Sequence, residues 1–528
     1  MEKTNEMKSY FNALSFNGLV NKDALLKLIK KSGIMLNDQR FGKLNDNSLM
    51  SSSLEELPQE INDEAFNEFI SSNTILLNKI LDKDLIISNW EQFCKDINEI
   101  YLTTKDCDSG KVASYIPQLA KVSDKLYGVS ICSVDGQQHH HGDVDYHFCV
   151  QSCSKPITYL IATDLNNSEY VHNFIGREPS GKNFNELCLN SEKIPHNPLI
   201  NSGAIMAASL VNYRDAIADR FDTVMEYWSK LAGNTKINFS NSVYLSERTT
   251  ADRNYCLGYM MQESCAFSQG KDKMFQRDWN NNDLQDSLDF YFQCCSIEIT
   301  CKQAGIIAAT LANGGICPVT NEKVFSPDIV KNALSLMSSC GMYDYSGEWA
   351  YTIGIPAKSG VSGIIMGIIP NVMGIAIFSP KLDEIGNSAK GIEFFKKLTT
   401  KYSFHTFDNV LNTKKKAVVN NDVINEELNL YRALTAASNG DINSIRAIYA
   451  KGYDLNIGDY DGRTAMHLAA SEGELEIVEF LLSKNINKMA KDRWTNTPMD
   501  DAIREKENCS AILLEKYKNI ILLLDENN

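Results

Sequence analysis

Phe148-Cys149-Val150-Gln151-Ser152-Cys153-Ser154-Lys155-Pro156 sets an apolar, strand-like run against a Ser-x-x-Lys step near the middle of the chain. Residues three apart share one face of a helix, so the Ser152 hydroxyl and the Lys155 amine can reach each other. Pro156 is tolerated in a first turn, where its missing N–H costs nothing, so the stretch predicts a strand running into a helix that starts near Ser152. The positive end of that helix favours negative charge developing at the serine or at an attacked carbonyl. Burial would lower the lysine pKa until the amine can take a proton. The pattern alone is common: Ser268-Gln269-Gly270-Lys271 satisfies it too, in a polar stretch without the strand-to-helix context.

At 528 residues, 43% apolar and 23% charged, the chain has the composition of a soluble globular protein of more than one domain. Its net charge of -15 argues against a nucleic acid or an anionic membrane as main partner. No apolar run reaches the roughly 18 residues a membrane span needs. The fourteen cysteines include no Cys-x-x-Cys pair and read as buried or free thiols in a reducing compartment. The first 35 residues carry Glu2 and Glu6 and no arginine. The visible sequence therefore reads as cytoplasmic, and a mitochondrial address would require a presequence already removed.

Residues 1–110 read as a small helical unit, with apolar residues at helical spacing in Ala24–Ile29, Phe66–Ile80 and Trp90–Tyr101. Asp106-Cys107-Asp108-Ser109-Gly110 resembles the start of a calcium loop but lacks the ligand series, and Pro117 stands where the bidentate glutamate belongs. From about 111 the pattern turns to strands. Leu126–Val134 precedes Asp135-Gly136, a hairpin turn signal, and a second strand leads toward Phe148. Further strands are expected at Trp349–Ile355, Gly363–Ile369 and Val372–Phe378, with helices between 156 and 345. Strands at both ends of a helical middle predict an α+β or α/β domain over 111–405. Gln137-Gln138-His139-His140-His141 is read as a solvated hairpin tip, since three adjacent histidines cannot easily converge on one metal ion. The other five histidines are scattered, so lysine is a better candidate base than histidine. A polar linker over 406–425 leads to 426–528, where Gly440 and Gly473, Thr464 and Thr497, and Asp459 and Asp492 each lie 33 residues apart. That is the ankyrin period, and Asp461-Gly462-Arg463-Thr464-Ala465-Met466-His467-Leu468-Ala469-Ala470 fits the ankyrin signature. So short an array suits either a protein partner or a structural role.

Several segments of the middle region together resemble the eukaryotic-type glutaminases of the kidney and liver kind. They are Tyr115–Lys121, Gln151–Pro156, Pro195–Pro198, Asn201–Ile205, Ser246–Arg248, Asp252–Asn254, Ser335–Met337, Cys340–Asp344 and Pro356–Val361. The resemblance spans nearly the whole chain in one order: an EF-hand-like unit without calcium ligands, a catalytic domain, then ankyrin repeats. It implies a catalytic domain with the fold of serine β-lactamases and penicillin-binding proteins. Lys358-Ser359-Gly360, following Ser152 in chain order, suits the Lys-Thr-Gly-like element of that fold, while no Ser-Asp-Asn lies between them.

The activity implied is hydrolysis of L-glutamine to L-glutamate and ammonia, with Ser152 as nucleophile, Lys155 as base and Tyr343 as proton shuttle. The backbone N–H groups of Ser152 and Val361 would receive the oxyanion, Glu247 the substrate ammonium, and Tyr115, Asn201, Asn254 and Tyr291 the remaining polar groups. No cofactor or metal is implied; inorganic phosphate stands as a candidate activator, and a homodimer or homotetramer as the assembly. Two departures stand out. The stretch Gln262–Ser287 looks longer than its counterpart and is expected to be an exposed loop or an insertion that alters the neighbourhood of Tyr291. In the loop Gly181–Cys188, Glu186 and Cys188 replace the basic and aromatic residues expected at the regulatory contact. Competing functions are another amidase or penicillin-recognising acylase, and an inactive ankyrin scaffold.

Overall fold

The computed structural model describes residues 18–41, 58–63, 66, 76–77, 79–80, 85–87, 89–183, 185–268, 281–408, 421–450, 453–508 and 513–525, in two units, Met1–Val419 and Asn420–Asn528. Within the first unit, α1 (Lys22–Lys31) is capped by Asn21, whose side chain accepts from the Ala24 N–H, and a two-residue ribbon pairs Val20 with Ile61. The amphipathic α2 (Trp90–Lys105) turns Phe93, Ile97, Ile100 and Tyr101 inward. The expected helix at Phe66–Ile80 lies largely outside the described residues. Asp108 of the calcium-loop fragment pairs with Lys381.

Strands β1 (Gly128–Ser133) and β2 (Gln138–Gly142) form the hairpin, and β3 (His147–Cys149) leads to α3 (Ser154–Asn166). There follow α4 (Asn201–Leu210), α5 (Ile217–Leu231), β4 (Asn238–Phe239), α6 (Asn241–Thr250), α7 (Asp252–Glu263), α8 (Asn281–Cys295), β5 (Ile297–Thr300), α9 (Cys301–Ala312) and α10 (Pro327–Cys340). The chain then adds α11 (Ser346–Thr352), β6 (Ala357–Gly360), β7 (Ile364–Ile369), β8 (Met373–Phe378) and α12 (Ala389–Lys401). An antiparallel sheet runs in the order β2-β1-β8-β7-β6, and β3-β5-β4 make a second, smaller sheet.

The central strands are buried on both faces, and their period-two alternation feeds two cores. Ile364, Met366 and Ile368 of β7 face a core shared with α3, α4, α8 and α9, while Ile365 and Ile369 face another shared with α2, α11 and α12. Each such isoleucine contributes about 1.5–3 kcal/mol of burial. Helix α9 lies so close to the sheet that a Cβ at Gly374 of β8 would run into the Ala308 and Ala309 backbone. Gly374→Val is therefore expected to lower the unfolding free energy by at least about 1–3 kcal/mol, read from urea midpoints. An unchanged midpoint would mean that the helix is not seated so tightly.

Four sequence expectations are corrected. The three histidines are not a hairpin tip but the edge strand β2, paired with β1; His139 meets Asn98 and His140 meets Ser130. Burial brings both pKa values down to about 4. Trp349–Ile355 is not a strand: Ser346–Thr352 is helical, with Trp349 buried against Phe395 and its indole N–H bonded to the Ile355 carbonyl. The stretch Gln262–Ser287 is not one exposed loop. Gln262 and Glu263 end α7, Asn281–Ser287 opens α8, and residues 269–280, with Lys271 of the second Ser-x-x-Lys match, lie outside the described residues. Lastly, the α-helix begins at Ser154 rather than Ser152, after a 3-10 turn.

The second unit consists of three helix pairs: Asn421–Ser438 with Ile442–Ala450, Ala465–Ser471 with Leu475–Ser483, and Pro498–Asn508 with Leu514–Leu524. Its core packs Ala469, Ala470, Ile477, Val478 and Leu481. The 33-residue period has a local cause. Asp459 accepts from the Asp461 and Arg463 N–H groups, and Asp492 accepts likewise from Trp494 and Asn496, so the same Asx turn recurs once per repeat. Among the described residues of the whole chain, no helix is long and apolar enough to cross a membrane.

Candidate active site

Ser152 sits in a single 3-10 turn, Gln151–Cys153, held at its entrance by the Val150 N–H to the Ile297 carbonyl of β5. The turn is entered through Gln151 at φ 48°, and Tyr343, just after α10, has φ 54°. Left-handed conformations of this kind cost about 1–3 kcal/mol at a non-glycine residue and gather at functional sites. Here both aim a side chain at the serine's surroundings. The Tyr343 side chain lies next to that of Ser152, and the Gln151 amide donates to Glu247 Oε1 at 3.0 Å.

Lys155 is completely buried on α3, and its Nζ donates to Asn201 Oδ1 at 2.5 Å. Burial, and after it the like charge of Lys358, bring its pKa down to about 7. Lys358, on β6 in register with Met366 of β7, is also fully buried, and burial lowers its pKa to about 8. Its Nζ donates to the Ser359 carbonyl at 2.7 Å and lies 4.4 Å from the centroid of the Tyr343 ring. Two depressed amines and one phenol, the phenol beside Ser152, thus gather in one region, a set suited to moving a proton at neutral pH.

A carboxylate marks one end of this cluster. Glu247 on α6 is buried, which raises its pKa, and it accepts from the Tyr115 hydroxyl at 2.6 Å as well as from Gln151. Tyr115 exposes 52% of its surface, but its hydroxyl end is enclosed against Glu247. Neutral amides mark another end. Asn201, opening α4, donates to Asn254 Oδ1 at 2.9 Å and Asn185 Oδ1 at 3.1 Å, and its own oxygen receives the Tyr291 hydroxyl at 3.4 Å. Gly203 lets the preceding loop lie flat on this first turn, since a Cβ there would strike the Asn197 carbonyl. Val361 follows β6; it and Tyr343 both border Gly386, and its N–H has no acceptor among the described residues. A cavity of about 490 Å³ opens beside Tyr343, walled by Ser180–Asn183, Cys340 and Asp344.

The chain is matched by known proteins. Residues 110–407 fit the family model described as glutaminase, and residues 433–522 fit a model of three ankyrin repeats. The mouse protein named glutaminase liver isoform, mitochondrial, is 42% identical over 510 residues, covering 94% of this chain and 81% of its own. A Nostoc glutaminase is 39% identical over 315 residues, 60% of this chain and 90% of its own. The chain belongs to the glutaminase family. The solved structure of the probable glutaminase ybaS superposes with a TM-score of 0.56 at 32% identity, covering 60% of this chain and 99% of that one. The glutaminase domain has the β-lactamase-like fold, and ankyrin repeats follow it.

In the glutaminase domain Tyr115 and Glu247 share one hydrogen-bonded set with Gln151; Lys155, Asn201, Asn254 and Tyr291 share another; and Ser152 and Tyr343 lie side by side. Sequence reasoning passed over four further members. Gln151 was read only as part of the motif, and Asn185 only as part of a loop. Lys358 was taken for a fold marker. Cys295 was unremarked, yet its thiol lies 3.8 Å from Ser154 Oγ and feels Glu247, Lys155 and Tyr291, with burial raising its pKa to about 11. Only Gln151 carried a usable signal, its place next to the serine.

Proposed function

We propose that the chain hydrolyses L-glutamine to L-glutamate and ammonia through an ester on Ser152. Neutral Lys155 takes the Ser152 proton as Oγ bonds to the side-chain amide carbon, and the carbonyl oxygen becomes an oxyanion facing the N–H groups of Ser152 and Val361. The C–N bond then breaks as the Tyr343 hydroxyl protonates the leaving nitrogen and takes back the proton that Lys155 holds. Water attacks the ester, gives its proton to the same base, and Oγ leaves protonated. The observation that supports this most is the shared placement of Ser152, a lysine with pKa about 7 and a phenol in contact with the serine.

Glu247 suits the α-ammonium of a free amino acid, and Tyr115, Asn201, Asn254 and Tyr291 suit its remaining polar groups, because a desolvated zwitterion needs each end paired. The same reading includes a homodimer or homotetramer and, for the ankyrin repeats, a protein partner. Ammonia and glutamate release from L-glutamine tests it directly; a wild-type chain inert toward glutamine defeats it. Glu247→Gln keeps an acceptor for Tyr115 but removes the charge, so kcat/KM is expected to fall roughly 10- to 100-fold, mostly through KM. An unchanged KM would remove Glu247 from substrate recognition.

A further inference from the structure

Tyr343 stands at φ 54°, a backbone conformation that tyrosine disfavours, shortly after α10 ends at Cys340. Left to itself in a loop the residue would relax to negative φ, and that rotation would carry its ring away from Ser152. Something outside Tyr343 must hold it. The Ser346 hydroxyl, buried at the start of α11, donates to the Tyr343 carbonyl at 2.7 Å and accepts from the Met342 N–H at 3.0 Å. Both directions are forced, because a carbonyl only accepts and an N–H only donates. One oxygen therefore ties the Met342 N–H to the Tyr343 carbonyl and closes the backbone around the left-handed residue.

The remaining carbonyl of this turn is held from the other side. Met342 O accepts from the Tyr345 N–H at 3.1 Å and from the Asn387 amide at 3.4 Å. Asn387 is fully buried, and the loop that carries it is braced by its own bonds. Asp383 Oδ1 accepts from the N–H groups of Ile385 at 3.0 Å, Gly386 at 2.8 Å and Asn387 at 2.9 Å, and the Asp383 N–H donates to the Asn387 carbonyl at 2.8 Å. Gly386 of that loop lies beside the Tyr343 ring, since a Cβ built on it would stand 3.9 Å from Cε2. Ser346 and Asn387 thus grip the backbone of Tyr343 from two elements, and among the described residues neither bonds to Ser152, Lys155 or Glu247.

We propose that Ser346, supported by Asn387, is the positioning residue that keeps the Tyr343 hydroxyl beside Ser152. This rests on the reading of Tyr343 as the group that protonates the leaving nitrogen, and it adds what holds that group in place. A proton donor fixed by backbone bonds needs no reorganisation when the C–N bond breaks, whereas a tyrosine able to turn to negative φ spends part of its time out of reach. Loss of the Ser346 hydroxyl therefore slows the chemical step and leaves the contacts of Glu247, Tyr115 and Asn201 as they are.

The test is a double-mutant cycle on glutamine turnover by the full chain, with kcat and KM measured separately. Ser346→Ala is expected to lower kcat roughly 10- to 100-fold with KM changed by less than about 2-fold, and Asn387→Ala to lower kcat several-fold. Ser346→Thr keeps the hydroxyl and should restore most of the rate. In a Tyr343→Phe background, Ser346→Ala should cost less than about 2-fold, because the hydroxyl it positions is already gone. An equal cost in both backgrounds marks a merely structural serine and overturns the proposal, as does a Ser346→Ala chain with unchanged kcat. A crystal structure of Ser346→Ala reads the geometry without turnover: Tyr343 is expected to leave φ near 54° and its hydroxyl to move away from Ser152, and an unmoved Tyr343 overturns the proposal. A wild type inert toward glutamine defeats the hydrolytic reading instead, and the Ser346→Ala structure then decides whether Ser346 holds Tyr343.

Discussion

Ser152→Ala is expected to lower kcat for glutamine hydrolysis by about 10⁴-fold or more while leaving the urea midpoint of unfolding unchanged. The substitution removes one oxygen from a 3-10 turn whose shape is set by backbone bonds, Val150 N–H to Ile297 and Cys153 N–H to Val150, rather than by the serine side chain. Everything else that recognises the substrate stays in place. In serine hydrolases loss of the nucleophile alone costs up to about 10⁶-fold, and the remaining donors still give about 10³-fold over water, so the variant should be very slow rather than inert. KM should move little. Retention of full activity would require a water attacking directly, and the acyl-enzyme scheme would fall even with glutamine confirmed as substrate.

Lys155→Met should cost a comparable amount of activity and, unlike most active-site changes, make the protein more stable. Removing a general base typically costs about 10²–10⁴-fold, and here the same amine also serves the second half-reaction. For stability, the folded pKa of about 7 stands below the 10.5 of an ordinary lysine. Between those values the unfolded chain holds a proton that the folded chain does not, so stability rises with pH from 7 toward 10.5, and the lysine costs most at and below pH 7. Methionine fills similar volume without that cost. A gain of about 1–4 kcal/mol at pH 7 is expected, shrinking toward pH 10, as when buried charges give way to apolar residues. A destabilised variant at pH 7 would mean that Lys155 is charged and paired in the fold. The same pKa predicts that wild-type kcat/KM climbs through about pH 7 as the amine loses its proton; a flat profile across that range would exclude Lys155 as the base.

The comparison of these two residues with their neighbours separates what was legible. Ser152 and Lys155 could be read from spacing because their relation is local: three residues, one turn, one proline. The strands at β7 and β8 could be read because alternating burial writes itself into an isoleucine-rich period of two, and the ankyrin repeats because one Asx turn must recur wherever the next repeat stacks. Trp349–Ile355 misled for the converse reason. A short aromatic and β-branched run has strand propensity, but its helical form lets Trp349 fill the space over Phe395 and bond to Ile355. His139–His141 looked polar and loop-like, while β1 offered a partner edge that a sequence cannot display.

The sequence by itself pointed to Ser152 and Lys155 as a pair, showed the order of the glutaminase domain and the ankyrin repeats, and, through many short matching segments, determined the family. Tertiary structure alone decided how far the Lys155 pKa falls and why. The depression of Lys155 depends on complete burial and on Lys358, which reaches it from a strand more than two hundred residues away in sequence. Likewise Glu247 becomes a buried acceptor for Tyr115 and Gln151 only when α6, the 3-10 turn and the segment before Pro117 converge. Spacing encodes what lies within one turn. Desolvation and charge–charge energy depend on distances through space, which exist only once the chain has folded.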